Sequence, residues 1–286
     1  MKLKQRIQEL VRETLQRLDE KLITYGSRKP YGQIVFMAGG AGSGKGFAIS
    51  NFVDSSSFKV RDVDEWKKAF MKLDDLKKKY PDIRNLNLKN PDDVYKLHMF
   101  VKKLGIKDKT LLLMLSQAEV GRLPNILFDV TLKDMGDITE VMPFLLKAGY
   151  QPKNIHLTWV LTSYHLAVVR NRDRERVVPD DIMLNTHKGA AKTVHSILTK
   201  KLPKGLNGRI DVILNNSEHT VFFQDNDGNK IKVSPKFKGT KTVVQDFLYL
   251  PIKKEGGSIL PEKVWKKTLF HWMRNNIPKT IKSDIF

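Results

Sequence analysis

Eight consecutive residues, Gly39-Gly40-Ala41-Gly42-Ser43-Gly44-Lys45-Gly46, have the types and spacing needed to hold phosphate. They satisfy the pattern G-x-x-x-x-G-K, after an apolar run and before a helical one. Glycines let successive backbone N–H groups converge on phosphate oxygens. The start of the following helix adds a positive dipole end, and Lys45 reaches the outer phosphates. A glycine-rich turn that binds nothing is the plain alternative, and the strand context together with Lys45 weighs against it. One position departs from the pattern. The residue after the lysine is normally Ser or Thr, whose hydroxyl ligates Mg²⁺. Here it is Gly46, so a metal needs another ligand; Ser43 is in the loop but not at the usual place.

Three further groups could take part in phosphate chemistry. Asp62-Val63-Asp64-Glu65 places acids at the end of an expected strand, where a carboxylate could accept a proton from an attacking hydroxyl. Acids enriched at a helix start would look the same. Arg170, Arg172, Arg174 and Arg176 alternate with polar or acidic residues just before Pro179. Such a segment could close over a migrating phosphoryl group, which needs cations more than covalent help; an ordinary solvated charge run is the alternative. Asp129 ends another apolar run and could position metal, water or an arginine. Asn215 and Asn216 end the last run and either line the crevice or begin a turn.

The elements that must position these groups follow from periodicity. Gln33–Ala38, Phe58–Val63, Asn125–Val130, Ile155–Leu161 and Arg209–Leu214 are short apolar runs expected as strands. Helices are expected over Phe47–Val53, Ile138–Ala148, from Ser163 as cap through Arg170, and from Pro179 toward Lys201. Residues 66–123 are expected to be mostly helical, with Asn90 capping a helix that has Pro91 in its first turn, and with Gly105 as a stop. Strands separated by helices imply crossovers and a parallel sheet, an α/β fold. Residues 3–23 carry one apolar stripe and read as an amphipathic helix. After Val221 the pattern changes to strand-like runs around Asp227-Gly228, then a helix near 262–275. The expected organisation is an N-terminal helix (1–30), a central domain (31–216) with a helical insertion near 70–122, and a basic, β-rich C-terminal extension (217–286).

Composition narrows the partners. With 51 Lys+Arg against 31 Asp+Glu the 286-residue chain has a formal net charge of +20. This favours a polyanionic partner over none, though a generally basic surface is the bland reading. Residues 230–286 hold 13 basic and 4 acidic residues. Trp265, Phe270, His271 and Trp272 lie among them, placed either to stack on bases or to pack a terminal helix. The absence of cysteine rules out disulfides and thiolate chemistry. No run is long enough to cross a bilayer, and no signal peptide is evident. The expectation is a cytoplasmic protein with no membrane and no protein partner. The seven histidines show no metal-ligand spacing.

Taken together, the order of motifs resembles the kinase module of bacteriophage polynucleotide kinases and the related zeta-toxin kinases. Asp62-Val63-Asp64-Glu65-Trp66-Lys67 resembles the zeta-type segment. Phe128-Asp129-Val130-Thr131-Leu132 is similar to the strand end of polynucleotide kinases. Arg170-Asn171, Arg174 and Val178-Pro179-Asp181 resemble their arginine-rich lid, with one residue fewer between the first Arg and the Pro. The resemblance covers roughly residues 33–216. It implies a P-loop NTPase-type fold with a five-stranded parallel core and flanking helices. It also implies ATP and Mg²⁺ as cofactors, and transfer of the γ-phosphoryl group to a hydroxyl. Asp64 would be the general base, and Lys45 with the loop backbone would hold the phosphates. Arg174, with Arg170, would stabilise the transferring group, and Asp62 or Asp129 would compensate for Gly46 at the metal. The charge points to nucleic acid as substrate, at a 5′-OH end or a hydroxymethylated base. A nucleotide-sugar or other small molecule is the rival acceptor. An ATP-binding nucleic-acid module without kinase chemistry is the third reading.

Overall fold

Apolar runs become strands where both faces of a sheet are covered, and here the central strands are buried along their whole length. In the computed structural model the described residues are 22–26, 31–62, 71–72, 74–116, 123–231 and 243–276. The main sheet uses β1 (Ile34–Ala38), β2 (Phe58–Asp62), β3 (Asn125–Val130), β4 (Ile155–Leu161), β5 (Ile210–Leu214) and β8 (Leu248–Lys253), in the order β2-β3-β1-β4-β5-β8. The first five are parallel, as expected; β8 adds an antiparallel edge. Pro251 lies on β8, where a missing N–H is tolerated because the strand is an edge. Short β6 (Val221–Phe222) and β7 (Val244–Asp246) pair separately.

The helices are α1 (Lys45–Asn51), α2 (Asp74–Lys79), α3 (Pro91–Lys103), α4 (Ile106–Ser116), α5 (Gly136–Thr139), α6 (Met142–Lys147), α7 (Tyr164–Arg172), α8 (Asp180–Thr199) and α9 (Glu262–Asn276). Alternate residues of β1 point to opposite faces. Ile34 and Phe36 join Phe128, Leu157 and Ile197 in one core cluster, while Val35 and Met37 join Phe52, Ile49 and Ile213 in the other. The insertion has its own small core around Ile83, Leu97 and Val101. It is pinned to the sheet by buried Arg61, whose Nε donates to Thr110 Oγ1 at 3.3 Å and whose guanidinium lies over the Phe128 ring.

Several expectations are corrected. Most of the segment expected as an N-terminal helix lies outside the described residues, but around Ile23 the chain is not helical: Ile23 forms a parallel bridge with Val53. Its N–H donates to Phe52 O and its carbonyl accepts from Asp54 N. The helix expected over Ile138–Ala148 is two pieces, α5 and α6. Pro143 has no N–H for the Thr139 carbonyl, and its ring would collide with that carbonyl. Ser163 stands at the N-cap of α7 without a side-chain cap, and the helix runs on to Arg172. Asn90 does cap α3, accepting from Asp92 N at 2.9 Å. In the tail, Trp265 and Trp272 are buried in the main core beside Ile252, so packing, not base stacking, explains them; Phe270 is exposed. No helix among the described residues is long and apolar enough to cross a membrane.

Candidate active site

The phosphate loop runs from the end of β1 to the start of α1, at the carboxyl edge of the sheet where open α/β folds bind ligands. Gly42 (φ 74°) and Gly44 (φ 83°) are left-handed, a conformation that side chains other than glycine disfavour. The turn closes with Ser43 N donating to Gly40 O at 3.2 Å. Gly44 caps α1 with no side-chain hydrogen bond and no acid follows in the first turn. The first N–H groups of a helix have no partner within it. Among the described residues no hydrogen bond occupies the amides of Gly42, Gly44, Lys45 or Gly46. One donor in the loop and three at the helix start, with the half-buried loop around them, fit an anionic oxygen cluster. Lys45 Nζ donates to Gly39 O at 2.7 Å and lies 3.5 Å from Asp129 Oδ1. The lysine therefore bridges loop and β3.

Three neighbours press on the loop so closely that they also demand glycine. A Cβ on Gly40 would come within 2.2 Å of the His187 ring. One on Gly42 would come within 2.3 Å of Ala167 O, and one on Gly44 within 2.3 Å of Asn215 Nδ2. His187 and Asn215 also hold the loop by hydrogen bonds. His187 Nε2 donates to Ala41 O at 2.7 Å, and Thr186 Oγ1 accepts from Ala41 N at 3.3 Å, both from α8. Asn215 Nδ2 donates to Ser43 O at 2.8 Å, while Asn216 Oδ1 accepts from Thr162 Oγ1 and Ser163 N. Of the two roles expected for these asparagines, Asn215 thus adopts the crevice one. Burial pushes the His187 imidazole down to about 4, against the raising effect of its bond to Ala41 and with the Lys45 charge lowering it further. It is neutral near pH 7. Neither Thr186 nor His187 belongs to a motif in the sequence; only the tertiary approach of α8 marks them.

The remaining expected groups are placed as follows. Asp62 and Asp129 are register partners at the ends of adjacent strands. That pair suits a hard cation as a source of carboxylate oxygen. Ser43 stands inside the loop rather than at the Gly46 position. Its Oγ is buried without a hydrogen-bond partner among the described residues, 2.6 Å from where a Gly39 Cβ would stand. Asp64 lies outside the described residues. Arg170 is brought to the loop: its Nη1 is 3.3 Å from the Gly44 Cβ position, 3.4 Å from Asn215 O and 3.5 Å from Thr162 Oγ1. Burial lowers its pKa. Arg174 sits on the turn after α7, where its carbonyl accepts from Lys89 Nζ at 2.5 Å. The Asn171 amide clamps this segment, donating to Val178 O at 2.8 Å and accepting from Val178 N at 3.0 Å. Val177 N donates to Leu88 O at 3.1 Å, so the insertion touches the arginine segment at two points.

A parallel β2-β3-β1-β4-β5 core, a glycine loop leading into a helix, and a lysine and an arginine at that loop define a P-loop kinase fold. The zeta toxin family model matches residues 16–227, well over half of the chain. The chain belongs to the zeta toxin family and is a P-loop phosphotransferase. Fainter likenesses to solved structures accompany this match. The complex of AvrRxo1-ORF1 and -ORF2 solved with ATP is 12% identical, with 99% of this chain and 83% of that one covered and a TM-score of 0.43. The PezAT toxin–antitoxin system of Streptococcus pneumoniae is 15% identical, with coverage of 72% and 75% and a TM-score of 0.39. Deoxyadenosine kinase of M. mycoides with bound dATP is 16% identical, with coverage of 65% and 91% and a TM-score of 0.33. A search of curated protein sequences finds no significant match.

Proposed function

We propose that the chain transfers the γ-phosphoryl group of ATP to a hydroxyl of a polynucleotide, at a 5′-OH end or on a hydroxymethylated base. The observation that carries the transfer is the phosphate loop itself, with four amides that have no partner among the described residues and Lys45 beside Asp129. Bound ATP supplies the phosphoryl group, and Mg²⁺ offsets charge on its phosphates. With Gly46 in place of a hydroxyl, Asp62 and Asp129 are the chain's donors toward that metal. Lys45 on the loop and Arg170 beside it would stabilise negative charge as it shifts toward the leaving diphosphate. Arg174 would add to this from the clamped segment. Asp64 would accept the acceptor's hydroxyl proton while the hydroxyl oxygen bonds to the γ-phosphorus. The bond from that phosphorus to the β,γ-bridging oxygen breaks, and ADP leaves.

The polynucleotide assignment rests on the net charge of +20, since phosphate neutralisation drives such binding. Membership of the zeta toxin family favours a second acceptor, a nucleotide-sugar or other small molecule. Incubation with γ-labelled ATP, Mg²⁺ and oligonucleotides, plain and hydroxymethylated, separates the readings. Label on the oligonucleotide, lost in Lys45→Ala and Asp64→Asn, is the expected result. Label on a nucleotide-sugar alone selects the second reading. Retained ATP and DNA binding with no label on any acceptor makes the chain a binding module.

A further inference from the structure

The exposed face of α3 carries features that the phosphate loop does not need. Tyr95 and Met99 are one helical turn apart and stand 51% and 45% exposed, so together they form an apolar strip on the solvent face of the helix. Beside them lies a groove of about 660 Å³ whose cationic rim is Lys96, Lys102 and Lys103 and whose apolar wall is Met99, Phe100 and Ile83. Phe100 is itself packed edge-on against Tyr80, with ring centroids 4.9 Å apart. Asp82 also borders the groove and Lys96 reaches Asp93 at 3.3 Å, so the excess positive charge of the groove lies toward Lys102 and Lys103.

The placement of this groove is as informative as its lining. The residue before the cap of α3 is Lys89, which holds the Arg174 carbonyl, and its neighbour Leu88 accepts from Val177 N. The N-terminal end of α3 therefore starts at the arginine segment. The helix has 13 residues, so it leads away for about 20 Å. A single strand takes cations along its backbone and aromatic faces for its bases, and α3, which starts at the arginine segment, presents lysines and the exposed Tyr95.

We infer that the α3 groove of the insertion holds the body of a single-stranded polynucleotide acceptor, with its reacting end at the arginine segment. This rests on the polynucleotide reading above and specifies where that substrate lies. The rise of about 3.4 Å per phosphate belongs to a strand stacked as in a duplex, and an extended single strand is longer per residue, so a 20 Å track spans at most about six nucleotides. Acceptors shorter than this leave Lys102 and Lys103, at the far end, without a phosphate.

The test compares the full chain with Lys96→Glu/Lys102→Glu/Lys103→Glu, and separately with Tyr95→Ala/Met99→Ala. Binding and phosphoryl transfer are measured on single strands of 3, 6 and 12 nucleotides over a salt series, with ATP affinity as the control for an intact fold. Three lost phosphate contacts should flatten the log-affinity against log-salt slope by about 2. The loss of affinity should grow with length, reaching at least about tenfold for the 12-mer. The apolar variant should lose roughly tenfold on the same strand without changing the slope. If wild type labels the oligonucleotides but the lysine variant keeps its slope, or loses equally at all lengths, the groove assignment is overturned and the polynucleotide reading stands. If wild type neither binds nor labels any strand, both are overturned.

Discussion

The two ends of the parallel sheet are built on opposite rules. Toward the amino edge of the strands, buried polar groups are tied to one another. His156 Nε2 donates to Gln33 Oε1 at 2.9 Å, and its Nδ1 accepts from Arg209 N at 2.8 Å. Arg209 forks onto buried Asp211 through two bonds of 2.9 Å, and Tyr25 bonds Thr158. At the carboxyl edge the loop amides of Gly42 and Gly44–Gly46 have no such partners among the described residues, and Lys45 and Arg170 are gathered around them. Satisfied networks give rigidity; open donors give a binding site. The comparison teaches that stability and chemistry are segregated along the strand direction, so each can be damaged separately.

The sharpest way to break that segregation is Lys45→Ala. It should reduce phosphotransfer by about a thousandfold, the scale of losing a key charge-stabilising donor, while the unfolding midpoint stays near wild type. A label-transfer assay beside a thermal melt checks both halves. At the other edge, Arg209→Ala leaves Asp211 buried and unpaired, which should cost about 3–5 kcal/mol in denaturant unfolding. Turnover per folded molecule should not change. A variant at the amino edge that lowered turnover without lowering stability would defeat the comparison.

A finer test concerns who dictates the loop. Gly40 has no left-handed backbone, so Gly40→Ala is a purely steric change against the His187 ring. It should weaken ATP binding by roughly tenfold, and adding His187→Ala should restore part of that loss. Contacting residues couple in this non-additive way. Simple addition of the two losses would mean that the ring does not set the loop.

The smallest expected effect is on pH dependence. Burial pushes His156 down to about 3 and His187 to about 4, against an ordinary 6.5. The unfolded chain then binds more protons than the folded one below 6.5, so stability is intact above that value and falls as pH drops. By pH 5.5 each should cost about 1 kcal/mol. Urea unfolding at pH 7 and 5.5 should show a smaller drop in His187→Gln than in wild type.

Strands and phosphate loop were legible because their signals are local. An apolar run fixes β1, G-x-x-x-x-G-K fixes the turn after it, and Asn90-Pro91 fixes the start of α3. The break between α5 and α6 was also written locally, in Pro143, but an apolar stripe continuing past it masks the break. Less of the site could be read. The motif located Lys45, and the arginine run included Arg170 without distinguishing it from Arg174. Nothing local distinguished Trp265 and Trp272 as core residues from base-stacking ones, because both uses put an aromatic among lysines.

Sequence by itself determined the parallel order of elements, the loop that faces phosphate, the absence of a hydroxyl at Gly46, and the charge. Tertiary structure alone decided that α8 lays His187 and Thr186 on Ala41, that Asn215 ties β5 to Ser43, and that the insertion meets the arginine segment at Leu88 and Lys89. The reason is range. Helix, strand and turn preferences act over a few residues, whereas these contacts join positions from 85 to 172 apart in the chain. Only close packing of the finished sheet and its helices brings them within a hydrogen bond.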